Sequence, residues 1–427
     1  MNPQARSNKL AAGTGGSVLV ERCQISGSRN LRSILFIGYL PPVNTMAPIG
    51  TRPNEQRSYP AELLYCPESH LVQLGLIVDP AILFPPHYAY TSGTTRILRE
   101  NFAELEREVA SLYPLQARDL VVDIGSNDGT LLENFQKAGK RVCGIEPTQA
   151  GKIARKKKIP TIEAFFSPVS ARQVVRKYGY ARIVTATNVF AHMENIHELT
   201  KAVLLMLDRD GIFITESHYL LPLLETLQYD TIYHEHLRYY SLHSLRYLLE
   251  QHGLELIHAR AIPTHGGSIR VYAARKGSRE VQDSVGRILR LEKSKLHEAA
   301  FGEFRQKVSQ SKLDLLAQLR NIRGQGKRIY GVGAPSRAST LVNYVGLDDQ
   351  IIDCVLEIRG SYKIGKYMPG TMIPVVDEAR LFDDPPDYAL LFSWHIADEL
   401  MDKMRKKGYR GKFIVPLPKV KIFSPES

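Results

Sequence analysis

Four consecutive side chains near the middle of the sequence have the types that proton chemistry needs: Tyr233, His234, Glu235 and His236. A neutral imidazole with a pKa near its ordinary value of ~6.5 can accept a carbon-bound proton. A carboxylate can orient that imidazole, and a phenol can donate to a developing enolate oxygen. Six of the 13 histidines fall within residues 192–243. The cluster therefore predicts a site that removes a proton from carbon.

The spacing of this cluster argues against a metal. Zinc motifs of the type H-E-x-x-H place two histidines on one helical face, whereas this segment reads H-E-H. In an extended chain, alternation would place Tyr233 and Glu235 on one side and His234 and His236 on the other. In an irregular segment all four could converge. His192, in NVFAHM after a strand-like run, is a further candidate, because open α/β sheets build their sites at the carboxyl ends of strands.

A second pattern, VVDIGSNDGTLL at 121–132, reads as a strand, a turn with Gly125 and Gly129, and the start of a helix. The glycines allow the backbone to approach a ligand closely at a strand end and a helix N-terminus. The G-x-x-x-G spacing around Asn127 differs from the G-x-G-x-x-G of dinucleotide binders. S-adenosylmethionine (SAM) carries an ammonium group and no phosphate, and Asp123 or nearby carbonyls can accept from that group.

Two polar residues at the ends of later strand-like runs extend this pattern. Glu146 ends the next run, and its carboxylate can accept from both ribose hydroxyls. Asn188 ends the run TATN, where the methionine part of SAM or the substrate would lie, although a capping role is the alternative. Together with the glycine turn, these residues predict a class I SAM-dependent methyltransferase.

Alternating apolar runs give the expected architecture of an α/β protein. Four short, β-branched runs are typical of strands buried on both faces of a parallel sheet: DLVVDIG, RVCGIE, ARIVTAT and GIFITES. LTKAVLLMLDRDG at 199–211 predicts a helix that ends on a glycine, and GSIRVYAARK at 267–276 predicts an antiparallel strand. The alternation begins again at 327–334, which predicts a second, C-terminal Rossmann-like α/β domain.

The chain of 427 residues is too long for one hydrophobic core. Its patterns predict five segments: a disordered lead-in at 1–17, a small N-terminal lobe at 18–85, a methyltransferase domain at 86–277, a helical connector at 278–325 and a Rossmann-like domain at 326–427.

Composition excludes several classes of protein. No apolar run approaches the ~20 residues of a membrane span, and the polar N-terminus lacks the apolar core of a secretory signal. Four cysteines do not form a disulfide framework, so a cytoplasmic protein is expected. The net charge of +12 suits anionic small substrates such as nucleotide diphosphates, and no nucleic-acid-binding motif accompanies it. A monomer or homodimer is expected.

These motifs resemble those of the sugar C-3 methyltransferases of deoxysugar biosynthesis, and the resemblance covers nearly the whole chain. DIGSNDGTLL and GIEPT resemble that family's SAM motifs, NVFAHM resembles a further segment, and YDTIYHEHLRYYSL resembles its most distinctive stretch. HGGSIRVY at 265–272 and GKYMPGTMIPV at 365–375 resemble its central and C-terminal signatures. YAYTSGTT at 88–95 resembles the tyrosine-bearing segment that enters the family's active site.

The resemblance implies a reaction and a role for each residue. His236 would remove the C-3 proton of a nucleotide-linked 4-keto deoxysugar, and the resulting carbanion would attack the methyl group of SAM. Its active-site companions would be Glu235, Tyr233, His192 and Tyr90, with Tyr90 favoured over Tyr88. The residues assigned to substrate binding are His234, His265, Gly331, Gly333 and Arg337.

The N-terminal lobe departs from the family's zinc-binding pattern of two C-x-x-C motifs. Here the motifs read Cys23-Gln-Ile-Ser26 and Cys66-Pro-Glu-Ser69, and serine is a poor zinc ligand. Cys23, Cys66 and His70 would supply only three ligands, whereas closed structural sites have four. We therefore predict a lobe without zinc that is held together by apolar packing.

The C-terminal block departs as well. YGVGAPSRASTL at 330–341 has Arg337 where the family has a lysine, and its guanidinium suits phosphate. Two explanations of Gly331 and Gly333 are nearly equally supported, namely nucleotide binding and tight packing of a strand against a helix. LEIRGSYKIGK at 356–366 replaces a segment that usually carries Asp-Arg-Asn-Pro. Two alternative functions therefore remain: an O- or N-methyltransferase of another small metabolite, and a nucleotide-binding protein without methyltransferase activity.

Overall fold

The structure is a computed structural model that describes residues 16–83, 93 and 95–425. The predicted lead-in at 1–17 lies outside the described residues except for its last two positions. Tyr88 and Tyr90 also lie outside them.

The N-terminal lobe is built on antiparallel strands. Its elements are β1 (Val18–Leu19), β2 (Arg32–Leu40), β3 (Tyr59–Cys66), β4 (Leu71–Leu74), β5 (Leu76–Ile77) and helix α1 (Pro80–Leu83). Strand β3 pairs with β2 on one side and β4 on the other. Every second side chain of β3 is buried, as period-two alternation requires, and Ala61 and Leu63 belong to the largest core cluster. That cluster continues into the C-terminal half of the chain.

The middle of the chain forms a seven-stranded sheet flanked by helices. Its elements are α2 (Arg96–Leu112), β6 (Leu120–Ile124), α3 (Thr130–Lys137), β7 (Arg141–Ile145), α4 (Ala150–Lys156), β8 (Thr161–Ile162), α5 (Pro168–Tyr178), β9 (Ala181–Thr187), α6 (Ile196–Met206), β10 (Leu207–His218), α7 (Leu220–Glu225), β11 (Arg238–Tyr239), α8 (Leu242–Glu250), β12 (Leu254–Ile262) and β13 (Ser268–Arg275). The strand order is β12-β13-β10-β9-β6-β7-β8. Strands β6 to β10 run parallel, and β13 is antiparallel to β10, which confirms the strand predicted at 267–276.

The helix predicted at 199–211 ends earlier than expected. Helix α6 stops at Met206, and Leu207 is extended with φ −74° and ψ 127°. Leu207 pairs with Ala181 as the first residue of β10, so Gly211 lies inside a strand. The prediction of a glycine-terminated helix was wrong, because pairing with β9 outweighs the helical pattern of LDRDG.

Strand β11 pairs with a different part of the chain from the one that the predicted domain boundaries assign to it. Although it lies within 86–277, it pairs with β4 of the N-terminal lobe, Arg238 with Gln73 and Tyr239 with Val72. The sheet of that lobe therefore has the order β11-β4-β3-β2. The segment Tyr-His-Glu-His directly precedes this strand, so the pairing fixes the segment against the N-terminal lobe.

Two helices lead into a second α/β sheet. The elements are α9 (Asp283–Lys295), α10 (Glu298–Gly324), β14 (Ile329–Val332), α11 (Ser336–Val345), β15 (Cys354–Glu357), β16 (Val375–Asp377), α12 (Arg380–Asp383), β17 (Tyr388–Leu391), α13 (Ala397–Lys406), β18 (Lys412–Val415) and β19 (Lys421–Phe423). The sheet order β16-β15-β14-β17-β18-β19 is that of a Rossmann fold, with only β19 antiparallel. Across the described ranges, no helix combines the length and apolarity of a membrane span.

Candidate functional site

The glycine turn after β6 has the backbone that only glycine adopts readily. Gly125 has φ 67° and Gly129 has φ 77°, both in the left-handed region. A Cβ on Gly125 would lie 2.5 Å from a methyl group of Val189, and one on Gly129 would lie 2.6 Å from Ile159. The turn therefore packs closely at the carboxyl edge of the sheet, where this fold class binds its ligands.

Three buried side-chain oxygens at this edge have no hydrogen-bond partner among the described residues. They are Ser126 Oγ after β6, Asn188 Oδ1 after β9 and Ser217 Oγ near the end of β10. Buried polar atoms normally have partners, so three such oxygens at one edge of the sheet suit a polar ligand. The ammonium, carboxylate and hydroxyl groups of SAM fit such a set of donors and acceptors.

Glu146 and Asp123 hold the turn in different ways. The Glu146 carboxylate accepts from the backbone N–H groups of Asn127 at 2.9 Å and Thr148 at 2.8 Å. Since each carboxylate oxygen has two lone pairs, both retain capacity for ribose hydroxyls. Asp123 is buried and accepts from the Thr185 hydroxyl at 2.6 Å. Burial raises the pKa of Asp123 to about 7, with a contribution from the charge of Glu146. A cation at this edge would favour the ionised form of Asp123.

His236 is held in one tautomer. Its Nδ1 lies 2.8 Å from the carbonyl oxygen of Thr231, and only 5% of the residue is exposed. Because a carbonyl can only accept, Nδ1 carries the proton and Nε2 keeps its lone pair. Burial lowers the pKa of His236 well below 6.5, with a further contribution from His192. The imidazole is therefore neutral at neutral pH, but it is a weaker base than the imidazole of ordinary pKa expected from the sequence.

Aromatic rings surround this base. The ring centroid of Tyr233 lies 4.1 Å from that of His236, and those of His192 and His218 lie 5.0 Å and 4.8 Å away. His192 donates from Nδ1 to the carbonyl oxygen of Glu235 at 2.6 Å. The predicted residues Tyr233, His192 and His236 are thus brought together, and the structure adds His218 to them.

The segment at 233–236 is irregular, and its four side chains do not all converge. The His236 N–H bonds to the Tyr233 carbonyl at 2.9 Å and closes a turn. His234 donates from Nε2 to the Pro60 carbonyl at 3.2 Å, in the N-terminal lobe, and burial lowers the pKa of His234 to about 4. Glu235 accepts from the Asn44 side chain at 2.6 Å. The sequence predicts that a carboxylate, such as that of Glu235, orients His236. In the structure, the Thr231 carbonyl is the group that accepts from His236 Nδ1.

His265 lies at the same cluster from another element. It belongs to a short 3-10 helix, Thr264–Gly266, and its ring centroid is 5.6 Å from that of His218. Its φ of 57° is left-handed, which an L-residue adopts at some cost. Burial, together with the charge of Arg337, lowers the pKa of His265 to about 4. The ring is therefore neutral at neutral pH and can both donate and accept a hydrogen bond.

Arg337 points toward the middle domain. Its Nε and Nη2 donate to the Asp230 carboxylate at 2.7 Å and 2.9 Å, and its Nη1 lies 2.9 Å from Nδ1 of His395. The residue is 6% exposed. The sequence predicts that the Arg337 guanidinium binds a phosphate of the substrate. In the structure the guanidinium is instead paired with the Asp230 carboxylate.

The two glycines of the C-terminal turn have different surroundings. Gly331 lies inside β14, where a Cβ would be 2.3 Å from the ring of Phe392 and 3.0 Å from Val355, so strand packing accounts for it. Gly333 follows the strand with φ 79° and turns the chain toward α11. For Gly331, the packing alternative is the one that the structure favours.

The cysteine and serine residues of the N-terminal lobe come together without a set of zinc ligands. Cys23 Sγ lies 3.1 Å from Ser69 Oγ, and Ser26 Oγ lies 3.5 Å from Cys66 Sγ. His70 bonds to the Tyr65 hydroxyl at 3.0 Å through Nδ1. Within the described ranges, no group of three or more His, Cys, Asp or Glu side chains could hold a metal. Two thiols with two hydroxyls do not fit structural zinc, which prefers four cysteine or histidine ligands.

Several residues of the site escaped the sequence analysis. His218 ends β10 just as His192 follows β9, so the rule that sites form at strand ends would have found it. Asp230 lies in the same motif as His236. Asn44, Trp394 and His395 come from distant segments, and their sequence context has no signal that links them to the cluster.

The buried histidines predict a strong dependence of stability on acid. The fold lowers the pKa of nine imidazoles below 6.5, among them those of His192, His218, His234, His236, His265 and His395. Below pH 6.5 the unfolded chain binds more protons than the folded chain, so the free energy of unfolding falls as the pH falls. Each imidazole contributes up to about 1.4 kcal/mol per pH unit.

Raised pKa values at Asp123 and Glu216 act in the opposite direction but involve fewer groups. We expect the melting temperature to fall steeply between pH 6.5 and 5. Thermal unfolding followed by circular dichroism at half-unit steps measures this, and a constant melting temperature over that range would contradict the burial of the cluster.

Comparison with known proteins covers most of the chain. The family model described as "Methyltransferase domain" matches residues 97–259, and "C-methyltransferase C-terminal domain" matches 263–418. The model described as "Putative zinc binding domain" matches 23–84, the lobe in which serine occupies two of the ligand positions.

A curated relative and two solved structures are similar to the chain. C-methyltransferase NovU of Streptomyces niveus is 32% identical over 414 residues, which is 96% of this chain and 98% of the relative. A SAM-dependent methyltransferase from Clostridium acetobutylicum ATCC 824 has a TM-score of 0.34 at 12% identity, covering 42% of this chain and 92% of that one. Magnesium protoporphyrin IX methyltransferase (ChlM) from Synechocystis PCC 6803 has a TM-score of 0.32 at 14% identity, covering 42% and 79%. By its identity to NovU over nearly the full length of both proteins, the chain belongs to the family of SAM-dependent C-methyltransferases.

Proposed function

We propose that the enzyme transfers a methyl group from SAM to C-3 of a nucleotide-linked 4-keto deoxysugar. The observation that carries this proposal is the tautomer of His236, because an imidazole with Nδ1–H bonded to Thr231 presents a lone pair on Nε2. C-methylation requires a base that removes a carbon-bound proton, whereas methylation of an amine or hydroxyl needs much weaker assistance.

A neighbouring ketone makes such a proton acidic enough for an imidazole. His236 removes the C-3 proton through Nε2, and the electrons of the broken C–H bond move into an enolate that ends on the C-4 oxygen. Tyr233, whose ring is tilted by 36° against that of His236 at a centroid distance of 4.1 Å, donates from its hydroxyl to that oxygen. Because burial lowers the pKa of His236, the imidazolium then releases its proton readily.

The carboxyl edge of β6, β7, β9 and β10 would hold the cofactor. Asn188, Ser126 and Ser217 would bind the methionine end, Glu146 would bind the ribose, and Gly125 would allow close approach of the backbone. When bound, SAM supplies an electrophilic methyl group on a sulfonium. Tyr90 remains a proposed companion of the base.

The test is exchange of hydrogen at carbon. A nucleoside diphosphate 4-keto-6-deoxysugar is incubated with the enzyme in D₂O, with S-adenosylhomocysteine in place of SAM, and the C-3 proton is followed by NMR. We expect enzyme-dependent loss of the C-3 signal, and methylation at C-3 once SAM is added. Methyl transfer to oxygen or nitrogen, without carbon exchange, would overturn the proposal.

A matched variant separates proton abstraction from cofactor binding, and a sample without enzyme gives the background exchange of the ketone. Glu146→Gln removes the carboxylate proposed to bind the ribose and leaves the histidine cluster unchanged, so we expect it to weaken SAM binding while the C-3 exchange persists. An equal loss of exchange in this variant would contradict the assignment of proton abstraction to the histidine cluster.

A further inference from the structure

We propose that Arg337 of the C-terminal domain is a positioning residue for the catalytic base and not a ligand for the substrate. The inference rests on the proposed function, since it concerns the base that the function requires. It assigns a role to the C-terminal domain that is additional to any binding of the nucleotide.

A buried ion pair joins the C-terminal domain to the middle domain. Arg337, on α11, forms a bidentate ion pair with Asp230, which is 0% exposed. Trp394 donates from Nε1 to the same carboxylate at 2.8 Å, and its ring lies 4.9 Å from the Arg337 guanidinium. Both oxygens of Asp230 are thus engaged by groups of the C-terminal domain. A buried bidentate pair fixes both the distance and the plane of its partners.

Asp230 is linked to the base through the backbone of one short turn. Asp230 is the central residue of a 3-10 turn, Tyr229–Thr231, and the next carbonyl in that turn, that of Thr231, accepts from His236 Nδ1. Tyr239 donates to the same carbonyl at 3.2 Å. A shift of the turn would therefore move the one acceptor that selects the tautomer of His236.

A second contact from the same helix supports this path. Thr340, one helical turn after Arg337, donates from its hydroxyl to the carbonyl of Ile232 at 3.1 Å. Helix α11 therefore holds the chain on both sides of the Thr231 carbonyl. Arg337 and Thr340 thus bind the segment 230–232 at two separate points. Such double anchoring is typical of residues that position a site and not of residues that bind a ligand.

The choice of variants follows from the energetics of buried pairs. Removal of one partner leaves an uncompensated buried charge, whereas replacement of both by apolar side chains of similar volume is often neutral for stability. The double variant Arg337→Met/Asp230→Leu should therefore fold, bind SAM like the wild type and lose the anchor, at some cost in stability because the Trp394 indole N–H loses its acceptor. Arg337→Lys keeps the charge without the bidentate geometry and should be intermediate.

For the double variant we expect kcat to fall about 10²-fold, because misplacement of a catalytic group by ~1 Å has effects of this size. KM for the nucleotide sugar should not change. An increase in KM at unchanged kcat would overturn the inference, since it would make Arg337 a substrate ligand. Thermal unfolding and calorimetric titration with SAM establish that the variant is folded.

A second readout does not depend on turnover. In protein labelled with ¹⁵N-histidine, the wild type should show His236 with a protonated Nδ1 and an unprotonated Nε2, identified by the signal lost in His236→Asn. The double variant should show a mixture of tautomers, and Thr340→Val a smaller shift in the same direction. An unchanged tautomer would overturn the inference. Absence of C-3 exchange in the wild type would instead overturn the proposed function and leave this readout interpretable.

Discussion

Replacement of His236 by asparagine is expected to lower kcat for methyl transfer by 10²–10⁴-fold, the usual contribution of a general base. The Asn Nδ2 group can take the place of Nδ1–H and donate to the Thr231 carbonyl, so the turn should keep its hydrogen bond. The variant removes only the Nε2 lone pair, which makes it a sharper test than alanine.

Three measurements separate the loss of the base from a loss of structure. Calorimetry should give the wild-type affinity for SAM, thermal unfolding should show a folded protein, and C-3 exchange in D₂O should disappear together with methylation. His236→Gln is the matched variant, because its amide reaches the position of Nε2 and cannot donate to Thr231 in the same way. Full turnover in either variant would refute the assignment of His236 as the base.

The second large effect concerns the N-terminal lobe, where Ser26→Cys together with Ser69→Cys is expected to create a zinc site. The side chains at these positions already contact Cys66 and Cys23, so the double variant would bring four thiolates together. Binding of zinc by four such ligands contributes ~10 kcal/mol or more in small zinc domains. The wild-type lobe should fold with its two Cys–Ser contacts and the apolar face of β3.

Metal analysis of purified protein decides both halves of this prediction. We expect about one zinc per chain in the double variant and less than a tenth of that in the wild type, since two thiols alone bind zinc weakly. A chelator should lower the melting temperature of the variant only. Stoichiometric zinc in the wild type would show that two serines do not prevent binding.

The parts of the fold that the sequence could predict are those with local causes. Buried strands such as Leu120–Ile124 follow from continuous apolar runs, and glycine at 125 permits the positive φ that the turn after this strand adopts. The end of α6 was missed because Leu207 pairs with Ala181, a partner distant in the chain. Local patterns contain no information about such a partner.

The same division applies to the site. Tyr233, His192 and His236 were identified from residue types and from resemblance, and they lie together. The tautomer of His236 was not predictable, because it depends on a backbone carbonyl whose direction no residue type encodes. The ion pair of Arg337 with Asp230 joins residues 107 positions apart. An arginine can bind either a phosphate or a carboxylate, and the sequence does not show which of the two Arg337 binds.

The pairing of β11 with β4 has a consequence for synthesis of the chain. The lobe that is translated first cannot complete its sheet until Arg238 and Tyr239 have left the ribosome, since they supply the strand beside Val72 and Gln73. Domains usually fold in the order in which they are made. Here the N-terminal lobe cannot complete its sheet until residue 239 has been made, and strand β4 has an unpaired edge during that interval. We therefore expect the nascent N-terminal lobe to depend on chaperones until His236 and the strand after it emerge together.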